Sequence, residues 1–571
     1  MRIEHILIHN FRGIIHQEFF LNPYTLLIGG NNAGKSTVVD AIRAFYEKDS
    51  FSYKEANDFP QKGAEDKESW IEVTFVLSDE EYSSLADTYK YASNKLKVRK
   101  YFKTSIQLAD GKTAKGAIVG YKADGTISNE HFYGAKNVQT GKLGNIIYIP
   151  AISKVDDFTK LSGPSALRDL ITNIMSGVIQ GSEPYAQFES SVELFSKQIK
   201  NATTEDSKLL SGFEAALNGM LREWGTEFSM SFRTPSSAEL IKNMVQWDLI
   251  DSVLESAQSA DKYGSGFQRH FIYSIIRLAN DYMPNAIKTK AKDFSPRMNL
   301  LLFEEPEAFL HPPQQQRLCR DLIQLSRSDS WQVLATTHSS HFVSKSTDML
   351  PSLIHLSKDD GITSIRQILQ KDWDEIVANN GMIDELAKKY PDLTNTLKNG
   401  VNKSDFEALR YFLCLNAERA NAFFSSHTIL VEGGSEVGII NRLIDDGHIP
   451  NGAGVCIFDS FGKYNIHRFM NLFGKLGIKH SVIIDDDSDK TGNKLRMQQD
   501  VNQMIADSRN AFTKQIVTIP GNLEMLLDIK VRARSDQKPQ AILLKYDSGA
   551  IAEENIQALI DIVDQCLTTQ K

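Results

Sequence analysis

The sequence has few of the features that mark a membrane, secreted or nucleic-acid-coating protein. No run approaches the ~20 consecutive apolar residues that a helix needs to cross a bilayer, and Met1 to Ile6 contain no hydrophobic signal core. The cysteines have neither metal-ligand spacing nor an evident pairing; they are Cys319, Cys414, Cys456 and Cys566. We therefore expect a protein of the reducing cytoplasm.

An excess of positive charge is also missing. The chain has 64 Lys and Arg against 72 Asp and Glu, a formal net charge of −8, which argues against binding nucleic acid through bulk charge. A local basic surface stays compatible with that balance. Four basic side chains do alternate along one strand pattern, at Lys95, Lys97, Arg99 and Lys103; a solvated sheet face is favoured there over a surface that follows a phosphate backbone.

A glycine-rich turn is the most informative stretch that is present. It lies between an apolar run at 24–28 and a helical pattern that begins near Thr37. Such turns aim backbone N–H groups at phosphates from a helix N-terminus. Lys35 would contact the phosphates and Ser36 would bind Mg²⁺. The candidate nucleotide-binding residues are Gly29, Asn31, Asn32, Gly34, Lys35, Ser36 and Thr37.

Three later segments are typical of the rest of an ATP site. Ser265 and Gly266 form a small polar motif suited to a γ-phosphate. An apolar strand at 299–303 precedes Glu304, assigned to the coordination sphere of the metal, and Glu305, assigned as general base. Another strand, 331–337, precedes His338. Glu307 is better explained as a cap for a helix starting near Pro306.

Together with Ile8-His9-Asn10-Phe11-Arg12-Gly13, this order of motifs resembles ABC-type ATPases of the recombination and chromosome-structure class. The resemblance implies ATP with one Mg²⁺, a switch role for His338, and a site that Ser265 of a second chain completes. Most such ATPases have Asp where this chain has Glu304. No heptad run separates Ser36 from Gly264, which excludes the relatives with long coiled-coil arms.

A second α/β pattern begins near residue 422. A strand at 428–431 ends in Glu432, with Glu436 on the next helix, and a strand at 481–484 ends in Asp485 and Asp487. On an extended chain Asp485 and Asp487 point to the same side, and carboxyl ends of parallel strands are where open α/β sheets place their sites. This cluster resembles the Toprim domain of topoisomerases, primases and related nucleases.

An ABC-type ATPase fused to a C-terminal Toprim domain resembles the OLD (overcoming lysogenisation defect) nuclease family. The resemblance extends to a Gly-Lys loop at 459–465, to Glu524 as a further metal ligand and to Lys538 as a contact to the scissile phosphate. It implies a DNA endonuclease with two Mg²⁺ or Mn²⁺ ions. Oxygen ligands suit these ions rather than zinc. The implied metal ligands are Glu432, Glu436, Asp485, Asp487 and Glu524.

The fold class we expect is α/β, an ABC-type ATPase domain with a mixed sheet and a helical insert, followed by a Rossmann-like Toprim domain. The predicted boundaries are 1–160 and 227–357 for the ATPase, 161–226 for an insert that mediates dimerisation, 358–421 for a helical connection and 422–571 for Toprim. The resemblance implies an ATP-regulated antiphage nuclease, a dimer or tetramer with a helicase or a retron reverse transcriptase and its RNA-DNA as partner. The alternative is a non-nucleolytic DNA-repair ATPase whose Toprim unit only binds.

Overall fold

The computed structural model describes residues 1–47, 51–133, 142–151, 298–343, 347–390, 404–530 and 537–568, with shorter stretches between 171 and 296 and the single residue 393. The chain divides into two compact units, one made of residues 1–146 and 293–571 and the other of residues 147–292. Among the described residues, no helix is both long enough and apolar enough to cross a bilayer.

The strands are β1 (Arg2–Phe11), β2 (Ile14–Phe20), β3 (Tyr24–Ile28), β4 (Ser69–Val76), β5 (Lys95–Lys103), β6 (Ile118–Tyr121), β7 (Ile127–His131), β8 (Asn145–Ile149), β9 (Leu249–Asp251), β10 (Ser256–Gln258), β11 (Asn299–Glu304), β12 (Trp331–Thr336), β13 (Leu353–Asp359), β14 (Ile362–Gln367), β15 (His427–Val431), β16 (Val455–Asp459), β17 (His480–Asp485) and β18 (Thr513–Ile519). The α-helices described are Lys35–Tyr46, Glu55–Asp58, Asp79–Ser84, Glu183–Ile199, Leu210–Leu221, Ser237–Met244, Pro312–Ser326, Gln370–Asn380, Met382–Lys389, Ser404–Cys414, Gly434–Asp445, Ile466–Leu476, Gly492–Asp507, Leu523–Leu526, Lys538–Asp547 and Glu553–Leu567.

An antiparallel sheet in the order β2-β1-β4-β5-β6-β7 forms one layer of the ATPase part. Its strand β5 contains the alternating basic side chains Lys95, Lys97, Arg99 and Lys103. Each basic side chain has an acidic partner: Lys95 with Glu4, Lys97 and Arg99 with Glu72, and Lys103 with Glu55, at 2.7 to 3.3 Å. Because Glu72 is buried, this face is internally neutralised, which leaves little charge to attract a phosphate backbone.

The nucleotide-binding sheet has the order β14-β13-β3-β12-β11. Strands β13, β3, β12 and β11 pair in parallel, and β14 closes the edge as a hairpin with β13. Beyond β11, the Asn145 amide at the start of β8 donates to the carbonyl of Met298. Every residue of β3 and β12 is buried, which is why these strands read as continuous apolar runs. Their carboxyl ends position the ATP motifs.

The C-terminal sheet is four-stranded and parallel, in the order β16-β15-β17-β18. Helices on its faces bury an apolar cluster that includes Ile429, Ile440, Ile483 and Leu559. A parallel sheet covered in this way is the Rossmann-like arrangement that the pattern predicted. All four strands end at one edge, the edge where the acidic residues follow.

A buried polar network joins the helical connection to this sheet's domain. Glu407 is fully buried and pairs with Arg468 and, at 2.6 Å, with Arg410. Asn380 donates to Glu407 and to the Tyr411 hydroxyl, both at 2.9 Å. Since Arg468 lies on the helix Ile466–Leu476, which follows the Gly-Lys loop, the connection fixes that helix.

The unit of residues 147–292 is described by its helices Glu183–Ile199, Leu210–Leu221 and Ser237–Met244 and by the hairpin of β9 and β10. The helix Glu183–Ile199 has no buried residue. Leu194, Phe213 and Met220 are more than half exposed. Dimerisation through residues 161–226 stays a prediction.

Candidate nucleotide and nuclease sites

The phosphate loop has the backbone that its glycines allow. Gly29 has φ 138°, and a Cβ there would lie 2.2 Å from the carbonyl oxygen of Leu356. Gly34, at φ 106°, lies against the side chain of Thr363 and immediately precedes the helix Lys35–Tyr46. Asn31, Asn32 and Ser36 are exposed and Thr37 is half-buried. The predicted nucleotide-binding residues therefore surround one open helix N-terminus.

Lys35 is buried and folds back on its own loop. Its Nζ donates to the carbonyl oxygens of Gly29 at 2.8 Å and Gly30 at 2.9 Å. Burial lowers the pKa of Lys35 to about 8, against the attraction of Glu305 and Glu307. Because both partners are neutral carbonyls, the ammonium can turn to a phosphate without breaking an ion pair.

The acidic strand end and the histidine meet beside this lysine. Glu304 is buried, and Glu305 has a left-handed φ of 44° that turns its half-exposed side chain to within 3.8 Å of His338 Nε2. Burial and nearby Lys35 lower the pKa of His338, so the neutral imidazole is favoured at neutral pH.

Glu307 differs from the sequence-based interpretation. The following helix begins at Pro312, not near Pro306, so Glu307 does not cap it. Instead the buried Glu307 carboxylate accepts the His338 amide at 2.7 Å, and burial raises the pKa of Glu307. Glu307 thus fixes the backbone at His338. The Ser265 and Gly266 predictions lie outside the described residues.

At the edge of the parallel sheet, Glu432, Asp485 and Asp487 come together. Glu432 follows β15 and accepts the Asp485 amide at 3.0 Å. Asp485 ends β17, while Asp487 has φ 55° and its amide donates to Gly521. The strand-alternation argument for Asp487 was therefore wrong, because the chain has left the extended conformation there. A left-handed turn directs the buried Asp487 side chain into the cluster instead.

Lys463 is the centre of that cluster. Its Nζ lies 2.5 Å from Asp487 Oδ2, 2.6 Å from the Asp485 carbonyl oxygen and 3.5 Å from Glu432 Oε1. Lys463 is only 5% exposed. Lys490 binds the other carboxylate oxygen of Asp487. Two cations thus neutralise acids that the turn brings together.

The second group of predicted residues lies beside the first. Glu436 is buried and accepts the Gly433 amide at 3.0 Å. Burial, followed by the charges of Glu432 and Glu524, raises the pKa of Glu436 to about 7. Glu524, on the short helix after β18, pairs with Lys538 at 2.6 Å. The two late motifs of the sequence are therefore in direct contact.

Burial also disfavours the charged forms of Asp485 and Glu432. It raises the pKa of Asp485 to about 8, with Glu432 as the next cause, and it raises the pKa of Glu432. Proximity of like charges in a desolvated site is the electrostatic signature of a divalent-cation or catalytic centre.

Comparison with known proteins agrees with this arrangement. Residues 1–343 match the sequence model of an AAA ATPase domain, more than half of the chain, and residues 423–487 match that of the overcoming lysogenization defect protein-like TOPRIM domain. The chain belongs to the AAA ATPase-domain family, and its C-terminal part has an OLD-like TOPRIM domain. Its ATPase fold and its Toprim-like parallel sheet are those expected from the sequence.

The relatives of this chain include nucleases. It is 24% identical to the Old nuclease of Escherichia phage P2 over 85% of this chain and 77% of that protein. It is 21% identical to the OLD nuclease of Thermus scotoductus over 65% of this chain and 63% of that protein. It is 23% identical to Endonuclease GajA of Bacillus cereus over 44% of this chain and 34% of that protein.

The AAA ATPase and TOPRIM domains imply a nucleotide and a divalent metal, and the donors are chemically suitable. Carboxylate oxygens of Glu432, Asp485 and Asp487 are the ligand type that Mg²⁺ and Mn²⁺ prefer. Within the part of the chain that the structure describes, however, no three His, Cys, Asp or Glu side chains are arranged to hold a metal ion. Lys463 and Lys490 hold both oxygens of Asp487, so an ion must compete with them.

Three residues that contact the predicted site residues are absent from the site lists based on the sequence. Lys463 was seen only as part of a loop resemblance, and Lys490 and Glu307 had no motif. The signal for Lys490 was its spacing of three from Asp487, which fits an ion pair across a turn. Nothing local to Glu307 indicated that it would hold the His338 amide.

Proposed function

We propose that this chain is a divalent-metal-dependent DNA endonuclease coupled to an ABC-type ATPase. The observation that supports this most is the convergence of Glu432, Asp485 and Asp487 around buried Lys463 at the carboxyl edge of the parallel sheet. Carboxylates are seldom buried unless they are paired or bind a cation, and here three of them gather at the edge where open α/β sheets place their sites. The nuclease relatives point to the same reaction, hydrolysis of a phosphodiester bond.

In this proposal Glu432, Asp485 and Asp487 hold one Mg²⁺ or Mn²⁺ ion, and Glu436 and Glu524 hold a second. Two such ions, when bound, stabilise charge on the attacking and leaving oxygens and acidify a bound water. The contact of Lys538 with Glu524 at 2.6 Å supports a role for this lysine at the same centre. Lys538 would complement negative charge on the scissile phosphate.

The ATPase centre would bind ATP with one Mg²⁺. Backbone groups from Gly29 to Thr37 and Lys35 would hold the phosphates, while Ser36 and Glu304 would contribute to the metal's coordination. The 3.8 Å approach of Glu305 to His338 supports their roles as general base and γ-phosphate switch. Ser265 and Gly266 of a second chain would complete the site, which requires a dimer or tetramer.

The biological setting we propose is antiphage defence in the cytoplasm. The protein would act as the cutting effector, with a helicase or with a retron reverse transcriptase and its RNA-DNA as partner. Genes adjacent to the one encoding this chain provide the test. Neighbouring helicase or reverse transcriptase genes would support the proposal, and their absence would contradict this choice of partner.

The nuclease assignment is tested by incubating purified protein with supercoiled plasmid and Mg²⁺ or Mn²⁺, with and without ATP. We expect metal-dependent cleavage that Asp487→Asn reduces at least 100-fold, since an amide cannot supply the lost ligand charge. Asp489→Asn is the matched control, because exposed Asp489 lies two residues along the same turn. Cleavage retained by Asp487→Asn would overturn the assignment.

The same assay distinguishes the alternative, a DNA-repair ATPase whose Toprim unit only binds. The feature that favours it is the pairing of both Asp487 oxygens with lysines. That function predicts DNA binding and ATP hydrolysis without any plasmid nicking under either metal.

A further inference from the structure

One aromatic side chain beside the acidic cluster is held in an unfavourable position. Phe461 lies between the end of β16 and Lys463, and 51% of its surface is exposed. Its φ of 57° is in the left-handed region, which bulky residues rarely adopt and which is most often retained at functional sites. Neither burial of the ring nor local backbone preference explains a phenylalanine here.

The surrounding loop imposes this conformation. The Phe461 amide donates to Asp459 Oδ1 at 2.8 Å, and its carbonyl oxygen accepts from the Asn465 side chain at 3.0 Å. The next amide, that of Gly462, donates to the Glu432 carbonyl oxygen at 2.7 Å. Both backbone groups of Phe461 are therefore satisfied, and the ring is presented from a rigid loop.

Arg419 covers one face of the ring. Its guanidinium carbon lies 3.6 Å from the ring centroid of Phe461. Two hydrogen bonds orient the guanidinium, one to the Asp459 carbonyl oxygen at 2.9 Å and one to Asp459 Oδ2 at 2.8 Å. Although Arg419 covers one face, Phe461 remains 51% exposed, which leaves part of the ring available to a flat partner.

The position of the ring specifies the chemistry of that partner. Phe461 adjoins Gly462, whose amide binds Glu432, and it is two residues from Lys463 at the centre of the carboxylates. Lys490 and Lys538 lie at the same sheet edge, where each pairs with a carboxylate, that of Asp487 and that of Glu524. A nucleobase attached to a phosphate at this candidate centre is a flat, apolar group of the kind that stacks on an exposed aromatic ring.

We propose that Phe461, supported by Arg419, stacks on a nucleobase next to the phosphate that is cut. This inference rests on the proposed nuclease function and adds a positioning residue to it. Every base has a π-face, so such stacking holds DNA without selecting a sequence. An unpaired or flipped base is required, because stacked bases in a duplex do not expose their faces.

The test measures binding of fluorescein-labelled single-stranded DNA to the full-length protein, with Ca²⁺ in place of Mg²⁺. Phe461→Leu should raise Kd about tenfold, because base–aromatic stacking contributes ~1–3 kcal/mol, and Phe461→Trp should preserve affinity. Phe461→Gly should weaken binding without lowering Tm, since glycine accepts this φ freely. Phe309→Leu is the matched control, because Phe309 is 62% exposed at φ 62° in the ATPase part.

An unchanged Kd for Phe461→Leu would overturn the inference. So would a lower mass by light scattering for that variant, which would place the ring against a second copy of the chain. A lower Tm for Phe461→Gly would show a structural role instead. If wild-type protein binds DNA through Phe461 but never cuts plasmid, the stacking inference stands and the nuclease proposal fails.

Discussion

A Gly-Lys pair occurs in both candidate sites, and the two lysines have opposite surroundings. Lys35 and Lys463 are almost equally buried, at 6% and 5% exposure. Lys35 donates to two neutral carbonyls of its own loop. Lys463 contacts the carboxylates of Glu432 and Asp487. Among the described residues, the lysine of the same dipeptide is therefore without an anionic partner within hydrogen-bond distance at Lys35, whereas at Lys463 it neutralises two carboxylates.

The two loops also differ in how closely their glycines pack against neighbouring backbone. The phosphate loop packs tightly, with Gly29 against the Leu356 carbonyl, whereas a Cβ on Gly462 would meet nothing within 4 Å. A loop that wraps a ligand with its amides needs close backbone packing. A loop that positions one side chain, as the Gly462 loop positions Lys463, requires only a backbone turn that directs this side chain into the site.

The largest effect on stability should come from removing the Lys463 charge. Lys463→Met leaves buried Asp487 beside Glu432, whose side chain is 23% exposed, with Lys490 as a remaining cationic partner of Asp487. We expect a cost of about 3 kcal/mol, the lower end for losing one partner of a buried pair. We expect a lower midpoint of urea unfolding in EDTA, with a larger recovery on adding Mn²⁺ than wild type shows. Lys490→Met is the control, since its more exposed pair contributes about 1 kcal/mol or less. Equal losses for the two variants would contradict the central role of Lys463.

Replacing the two loop glycines should give a smaller difference in the free energy of unfolding than replacing the two lysines. Gly29→Ala adds a clash with the Leu356 carbonyl to the left-handed strain and should cost about 3 kcal/mol. Gly462→Ala meets no neighbour among the described residues and only the strain of φ 99° and ψ 155°, a region that L residues rarely adopt, at about 2 kcal/mol. Urea unfolding of both variants measures the difference. Should Gly462→Ala prove the more damaging, the tight-loop and open-loop distinction would be wrong.

The smallest stability effect should follow from Lys35→Met, which breaks only hydrogen bonds to neutral carbonyls. We expect a loss of about 1 kcal/mol together with at least a 100-fold loss of ATP affinity, measured with a fluorescent ATP analogue. Lys35→Arg is the companion variant: it keeps the positive charge, but its planar guanidinium replaces a point charge, so we expect ATP affinity to fall here too. If Lys35→Met lowered the free energy of unfolding as much as Lys463→Met does, the proposed difference between the surroundings of the two lysines would be wrong.

Local sequence patterns predicted those site residues that directly follow or end a buried strand. Glu432 and Asp485 follow buried apolar runs, and parallel pairing brings their carboxyl ends together. Asp487 lies in the cluster through a left-handed turn, held by the hydrogen bond of its amide to the Gly521 carbonyl, and not through the strand alternation that the sequence suggested. The pairing of Glu307 with the His338 amide, 31 residues away, had no local signal.

The sequence by itself determined the ATPase and Toprim-like patterns, the phosphate loop and the edge at which the acids gather, because these follow from hydrophobic periodicity and from residues adjacent in the chain. Only the tertiary structure decided what each charge contacts. Lys463 reaches Asp487 across 24 residues, and Lys538 reaches Glu524 across the segment between two helices. Such pairs depend on where side chains are desolvated together, which is a property of packing and not of spacing.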